Sequence, residues 1–340
     1  MKGAKKLIRI ESSEQSSALR SVFGFFVKVL ISSLAIGFIA YKLNQRQSDL
    51  SLFLDHLLSL SFSEIVLKFL IPSIALMMLN WWMEVVKWKK LLDTNVEISW
   101  RTSIKAVLSG TTIGVFSPNR MGEFVGRVLA LKPEQRIKGS LLSMVNGLSQ
   151  SLATFTFGVF GLLILVEEFA KVPLGFVGTK ILQLTLVIAV VLAFTIYLRM
   201  NLLVMLPLRW KALAKYQHYF EVFTAVDARL LKRLFNLSMV RFLTFILQYV
   251  VVFNLLLPSP NLLQVLVGSV LTLFSSTLLP FLPIPDLLIR ESMALSYFQL
   301  YDFDPLIVSV AVLVVWLVNV ALPALIGTSA LFTYRIFKAK

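Results

Sequence analysis

The stretch GTTIGVFSPNRMGEFVGR, from Gly110 to Arg127, joins an apolar segment rich in small residues to a charged one. The apolar segment, Ser103 to Ser117, contains 15 residues. A helix of that length rises about 22 Å, which is less than the roughly 30 Å of hydrocarbon in a bilayer. We therefore predict that this segment is re-entrant, entering a membrane from the cytoplasmic side and returning to it.

The composition around this stretch is typical of a polytopic membrane protein. Of the 340 residues, 57% are hydrophobic and 15% are charged, against roughly 25% charged in an average soluble domain. Six nearly uncharged windows are long enough to cross a bilayer as helices. They are Val22 to Tyr41, Ile65 to Trp82, Leu141 to Val166, Thr179 to Leu198, Asn236 to Leu257 and Leu306 to Phe332. The first is too long for the apolar core of a cleavable signal and is expected to stay as an anchor.

The placement of charge supports this topology. The net charge of +15 comes mainly from residues 1–21, Glu84 to Lys105, residues 199–235 and the C-terminal end. Basic segments stay on the cytoplasmic side, so both termini are predicted to be cytoplasmic, and residues 199–235 are predicted to form an interfacial loop there. If Ser103 to Ser117 crossed the membrane, two basic loops would lie outside, whereas a re-entrant segment keeps every basic loop inside.

A second broken segment, Leu262 to Leu282, is interrupted by Gly268, by several Ser and Thr residues and by Pro280. If it is also re-entrant, each half of the chain has the order span, span, re-entrant segment, span. Residues 22–166 and 179–332 would then be inverted copies, because each half crosses an odd number of times. The prediction is an all-α membrane bundle with six spans, two re-entrant segments and an inverted repeat. Eight spans are the alternative, in which the small residues serve close helix packing.

The small residues of the first broken segment predict a groove. Gly110, Gly114 and Ser117 lie on one face of a helix, where either another backbone or a lipid chain could approach closely. Ser117 and Pro118 are a typical cap and first-turn pair. We therefore expect a new helix to begin at that point.

The start of this new helix has the features of an anion site. Unpaired amides and the helix dipole favour negative charge there, and Arg120 adds a positive one. Gly122 allows a bulky group to approach the backbone. Glu123 and Arg127 are one turn apart and can form an ion pair, which lowers the cost of placing both near hydrocarbon.

The run GTTIGVFSPNRMGEFVGRVLAL resembles the signature of the lysylphosphatidylglycerol synthase transmembrane-region family, also called the flippase-like domain family. The resemblance extends over Val22 to Lys340 and implies that the chain moves a phospholipid between leaflets. The residues it assigns to the first motif are Pro118, Arg120, Gly122, Glu123 and Arg127. A second motif is matched in part by Pro283, Pro285 and Glu291, with PIPDLLIRE where the family has glycines. The soluble synthase domain of two-domain relatives is not expected here, so aminoacylation is not implied.

Charged residues after the second broken segment are further candidates. Asp286, Arg290 and Glu291 are predicted either to contribute to a substrate site or to form an extracellular turn. Asp302 and Asp304 have an Asp-x-Asp spacing that some lipid-linked sugar transferases use to hold a metal. Their place just before the last span favours a solvated loop.

Two basic residues within predicted spans, Lys28 and Arg241, lie near the cytoplasmic ends of those spans and are expected to be snorkelling anchors. The chain has no Cys, and His56 and His218 are its two histidines. We therefore predict no metal site and no cofactor.

These features together predict a transporter that moves a phospholipid, or another lipid with an anionic head group, across the bacterial inner membrane. Membrane lipids are its expected partners, while nucleic acid is not, because the basic residues follow the topology. A phosphate loop for ATP is absent from the sequence. Two alternatives stay open: an enzyme acting on a lipid phosphate or lipid-linked sugar through Asp286, Asp302 or Asp304, and a non-transporting scaffold in envelope assembly.

Overall fold

A computed structural model describes residues 47–115, 117, 120–169, 171–200, 220–278 and 286–333, together with scattered positions between 26 and 45. Ten helices lie within these described ranges. They are α1 (Gln47–Ser59), α2 (Phe62–Leu92), α3 (Trp100–Gly114), α4 (Gly122–Leu129), α5 (Arg136–Phe169), α6 (Lys171–Leu198), α7 (Ala228–Leu256), α8 (Leu262–Leu278), α9 (Asp286–Phe298) and α10 (Pro305–Leu331). The all-α prediction is confirmed.

Five of these helices, α2, α5, α6, α7 and α10, are long and apolar enough to cross a membrane. They coincide with five of the six predicted windows. The sixth, Val22 to Tyr41, lies largely outside the described residues, as does Lys28. The helix α7 starts at Ala228 rather than at Asn236, because Asp227 caps it by accepting a hydrogen bond from the Leu230 amide at 2.7 Å.

The first broken segment is α3, which is too short to span and forms a hairpin with α4. The two helices touch through their backbones, since a Cβ added at Gly126 would lie 2.5 Å from Gly110 Cα. The Ser109 hydroxyl donates to the Gly126 carbonyl at 3.1 Å. The groove predicted at Gly110 and Gly114 is therefore occupied by α4 of the same chain, with the Glu123 backbone at Gly110 and the Glu123 side chain at Gly114.

The second broken segment forms a corresponding hairpin from α8 and α9. Gly268 of α8 lies against the ring of Phe298, since a Cβ added at this glycine would be only 2.8 Å from Phe298 Cζ. Ser275 and Tyr297 share a hydrogen bond of 2.6 Å between their hydroxyls. Each half of the chain thus contains a long helix, a short hairpin and another long helix, in the order α2, α3–α4, α5 and α7, α8–α9, α10.

The two halves run in opposite directions. Gln248 of α7 donates to the Ser73 carbonyl of α2 at 3.1 Å, and Arg241 Nε donates to Asn80 Oδ1 at 2.9 Å. Residue numbers therefore rise in α2 as they fall in α7, so these equivalent helices are antiparallel. An inverted repeat has this geometry, so the packing of α2 against α7 is what the predicted repeat requires.

Each half also supplies the helix that supports the hairpin of the other half. The last helix, α10, packs on α3, where Gly327 touches the Leu108 carbonyl and Thr112 donates to the Ala324 carbonyl at 2.7 Å. In the same way α5 packs on α8, with Gly158 against the ring of Phe274. Glycines allow these helices to approach closely, as is common between membrane helices.

Two boundaries differ from the predictions. The helix α2 continues through Glu84 to Leu92, so the beginning of the segment predicted as a basic cytoplasmic loop, Glu84 to Lys105, lies inside the bundle. The helix α4 begins at Gly122 and not at Ser117. A turn containing Arg120 at φ 57° separates α3 from α4, and this left-handed backbone interrupts any continuous helix.

Candidate functional site

A cavity of about 350 Å³ lies between the two hairpins and the long helices α2, α5 and α7. Both hairpins contribute charged side chains to its wall. The charged residues that line it are Glu84, Arg120, Glu123, Arg127, Arg241, Asp286 and Arg290. Polar residues of α5, including Asn146 and Gln150, form another part of the wall. The cavity therefore lies where the two inverted halves meet.

Glu84 is the centre of the charge network. Its carboxylate is 1% exposed and has two arginine partners, Arg127 Nη2 at 2.7 Å and Arg241 Nη1 at 2.8 Å. Asn146 Nδ2 donates to it at 2.6 Å, and Lys87 Nζ lies 3.5 Å away. These partners come from α2, α4, α5 and α7, so one carboxylate joins four helices through charged and polar contacts.

The turn between α3 and α4 holds Arg120 over the cavity. Ser117 Oγ accepts a hydrogen bond from the Gly122 amide at 2.8 Å and donates to the Gly114 carbonyl at 3.0 Å. Ser117 thus caps the start of α4 from across the turn. Arg120 is paired with Glu123, which is also 2.9 Å from Arg127 Nη2. The left-handed backbone at Arg120 is unusual for a residue other than Gly or Asn, and such strain often occurs at functional sites.

The second hairpin contributes a related pair. Arg290 Nε lies 3.0 Å from Asp286 Oδ1, with the acid four residues before the arginine. Glu123 and Arg127 of the first hairpin have the same order and spacing on the equivalent helix α4. The inverted repeat therefore places two acid–arginine pairs on the wall of one cavity.

Three of the arginines also contact aromatic rings. The guanidinium of Arg127 is 5.9 Å from the Trp88 ring centre, that of Arg241 is 5.6 Å from Trp81, and that of Arg290 is 5.8 Å from Phe245. A ring face attracts a cation, most strongly where water is excluded. These contacts help to hold the guanidinium groups in an apolar bundle.

The described lining of the cavity has a small excess of positive charge and several unpartnered polar atoms. Among the described residues that line it, four arginines face three carboxylates, which gives one surplus positive charge. Several lining side chains also have a buried polar atom without a hydrogen-bond partner in the described part of the chain. These atoms are Arg120 Nε, Arg127 Nε, Asn146 Oδ1 and Asp286 Oδ2. Buried polar atoms are usually paired, so such a group indicates water or a ligand.

A known protein family matches most of the chain. The family described as lysylphosphatidylglycerol synthase TM region matches residues 25–327. The chain belongs to this family. No curated protein matches the chain significantly. With five helices suited to crossing a bilayer and a transmembrane family covering most of its length, the chain is an integral membrane protein.

The structure brings together most of the charged residues predicted as candidates for the site. Arg120, Glu123 and Arg127 from the first hairpin and Asp286 and Arg290 from the second all line the cavity. Their role in binding a substrate stays a prediction.

Other predicted site residues lie elsewhere. Gly122 packs inside the first hairpin, where an added Cβ would be 2.6 Å from the Ile113 carbonyl oxygen. Glu291 is absent from the described lining and accepts a hydrogen bond from Ser309 of α10 at 3.0 Å. Pro118, Pro283 and Pro285 lie outside the described residues.

The most buried part of the site was missed by the sequence analysis. Arg241 was predicted to be a snorkelling anchor, but it is 9% exposed and points into the bundle toward Glu84. A signal was available, because Asn80, Glu84 and Lys87 are spaced by four and three residues and so share one face of a helix. Polar residues with that spacing next to an apolar window indicate an inward face.

Asp302 and Asp304, whose spacing was considered for a metal site, are not part of the described lining of the cavity, whereas Asp286 is. Asp304 accepts a hydrogen bond from the Leu306 amide at 2.7 Å and caps α10. Asp302 adopts a left-handed backbone in the preceding turn, with φ 58°. Within the described residues, no group of three or more His, Asp or Glu side chains could hold a metal ion.

Proposed function

We propose that this protein translocates a phospholipid, or another lipid with an anionic head group, between the leaflets of a membrane. The single observation that supports this most strongly is the cavity in which Arg120 and Arg127 of one hairpin and Arg290 of the other line the same wall. An arginine fork matches the oxygen atoms of a phosphate or carboxylate. A head group held there would exchange its water for charged hydrogen bonds.

The physical task of such a protein is to lower the cost of moving a polar head group through hydrocarbon. Moving an unpaired charge into an apolar medium is very unfavourable. In this site an incoming anion would compete with Glu123 for Arg120 and Arg127, while Glu84 keeps Arg127 and Arg241 in place. The acyl chains would stay in the bilayer outside the bundle.

The orientation and location belong to the same proposal. The basic segments support cytoplasmic termini, in keeping with the rule that positive loops stay inside. We place the protein in the bacterial inner membrane, with anionic membrane lipids as its partners. We propose that it transports lipids without changing them covalently.

The proposal predicts that Arg120→Asn reduces translocation of labelled phosphatidylglycerol in proteoliposomes by about tenfold or more. That loss corresponds to one charged hydrogen bond, worth about 1.5–3 kcal/mol. Asparagine is chosen because it tolerates the left-handed backbone at this position, so the charge is removed while the turn is kept. The initial rate of lipid movement, normalised to reconstituted protein, is the quantity to measure.

Arg101→Asn is the matched control, because Arg101 is on α3 of the same hairpin but is exposed. Its rate should equal that of the unmodified protein. A folded Arg120→Asn protein that translocates lipid at the unmodified rate would refute the assignment of Arg120 to the head-group site. Equal losses in both variants would point to a general effect of charge on reconstitution.

A further inference from the structure

Lys87 is a buried cation next to the cavity. Its side chain is 0% exposed and lies on α2, one turn after Glu84. Its Nζ is 3.5 Å from Glu84 Oε2 and 3.3 Å from Gln150 Oε1. Glu84 and Gln150 both line the cavity, so a single layer of side chains separates the Lys87 amine from the space proposed for the head group.

The charged groups around Lys87 come from three helices. Glu84 lies on its own helix, Arg127 on α4 and Arg241 on α7, while α5 contributes the neutral side chains of Asn146 and Gln150. Arg127 is paired in turn with Glu123, and Glu123 with Arg120. With Lys87 protonated, this described cluster has four positive charges, on Lys87, Arg120, Arg127 and Arg241. It has two negative charges, on Glu84 and Glu123.

A buried surplus of two positive charges is costly in an apolar bundle, so the cluster favours either a bound anion or the loss of a proton. The three guanidinium groups do not lose protons in proteins, whereas the ammonium of a buried lysine can. Lys87 is therefore the cation of this cluster whose charge can adjust to the occupancy of the cavity.

We propose that Lys87 is a proton-binding site that couples lipid movement to protons, taking up a proton when an anionic head group enters the cavity and releasing it when the head group leaves. This inference rests on the proposed function. The amine gains one proton from the aqueous phase and becomes an ammonium, and no covalent bond of the lipid changes. The arriving negative charge offsets the charge that Lys87 gains.

The coupling must be reciprocal. If the anion favours protonation of Lys87, a lower pH must favour binding of the anion by the same factor. The affinity for the anion should therefore rise as pH falls through the range in which the amine titrates, and become constant below it. With one proton moved per lipid, a pH difference of one unit across the membrane would support about a tenfold difference in lipid between leaflets.

Isothermal titration calorimetry of the full-length protein in detergent tests the inference. Dihexanoyl phosphatidylglycerol is titrated at several pH values between about 6 and 9, in buffers that differ in ionisation enthalpy, to obtain the protons taken up per bound lipid. We expect uptake approaching one proton at the alkaline end for the unmodified protein. Lys87→Met and Lys87→Arg should bind the lipid without this uptake, because the first has no amine and the second stays charged.

Lys90→Gln is the control, since Lys90 is on the same helix but exposed, and its proton uptake should equal that of the unmodified protein. Equal uptake in the unmodified protein and in the Lys87 variants would overturn the coupling, as would lipid binding by the unmodified protein without proton exchange at any pH. If the unmodified protein does not bind the lipid at all, the proposed head-group site fails together with the coupling. If the larger arginine side chain prevents Lys87→Arg from folding, Lys87→Met alone still tests whether proton uptake depends on the Lys87 amine.

Discussion

Glu84→Gln is expected to destabilise the protein by about 3–5 kcal/mol, the cost of removing one partner from a buried ion pair. The side chain keeps its shape but loses its charge, and Lys87, Arg127 and Arg241 then share a neutral amide in place of a carboxylate. An uncompensated buried charge is more costly than the original pair. Thermal unfolding of the purified protein in detergent, followed by tryptophan fluorescence, measures the loss.

Glu64→Gln is the control for this experiment. Glu64 is on the same helix and also pairs with a lysine, Lys68 at 2.8 Å, but both side chains are exposed to a large extent. Exposed pairs contribute little to stability, so the melting temperature should not change measurably. If Glu84→Gln were as stable as Glu64→Gln, the contacts of Glu84 with its three cations would not stabilise the bundle.

Gly126→Ala is expected to lower stability by about 1–3 kcal/mol, the usual cost of overpacking a core. The new Cβ would lie 2.5 Å from Gly110 Cα and 2.6 Å from the Ser109 carbonyl oxygen. Both contacts are with backbone, so no side chain can rotate away and α3 must move from α4. Because Glu123 and Arg127 are on α4, this movement should also reduce lipid translocation.

The same change at Gly147 separates packing from helix propensity. Gly147 is in the interior of α5, and the nearest atom to an added Cβ is Phe124 Cζ at 3.8 Å, an ordinary contact. In both helices alanine is favoured over glycine by up to about 1 kcal/mol, so Gly147→Ala should be neutral or stabilising. A Gly126→Ala protein with the stability of Gly147→Ala would show that α3 and α4 are not in close contact.

Much of the architecture was predictable because it depends on local properties of the chain. A window of apolar residues predicts a spanning helix wherever it lies, and the shortness of the segment containing Gly110 and Gly114 favoured a re-entrant helix over a span. The inverted repeat followed from the order of these segments and from the placement of Lys and Arg. The charged residues near Gly122 and Asp286 were identified because they follow the two broken segments directly.

The centre of the site was harder to predict, because its contacts join distant parts of the sequence. Glu84 and Arg241 are 157 residues apart, and each looked like a residue at the end of a span when its own window was considered alone. The start of α4 was also misplaced, since the left-handed turn at Arg120 depends on hydrogen bonds made by Ser117. Pairing between the halves decides the first of these features, and local hydrogen bonds in the turn decide the second.

The exchange of supporting helices between the halves makes each hairpin depend on the other half of the chain. A chain consisting of one half alone would have a hairpin that lacks one of the helices packed on it and a final helix with part of its surface uncovered. Two such chains, placed in opposite orientations, would satisfy both needs at once. The single chain therefore holds together two hairpins that each need a helix from the far half of the sequence, so neither half can complete its own hairpin.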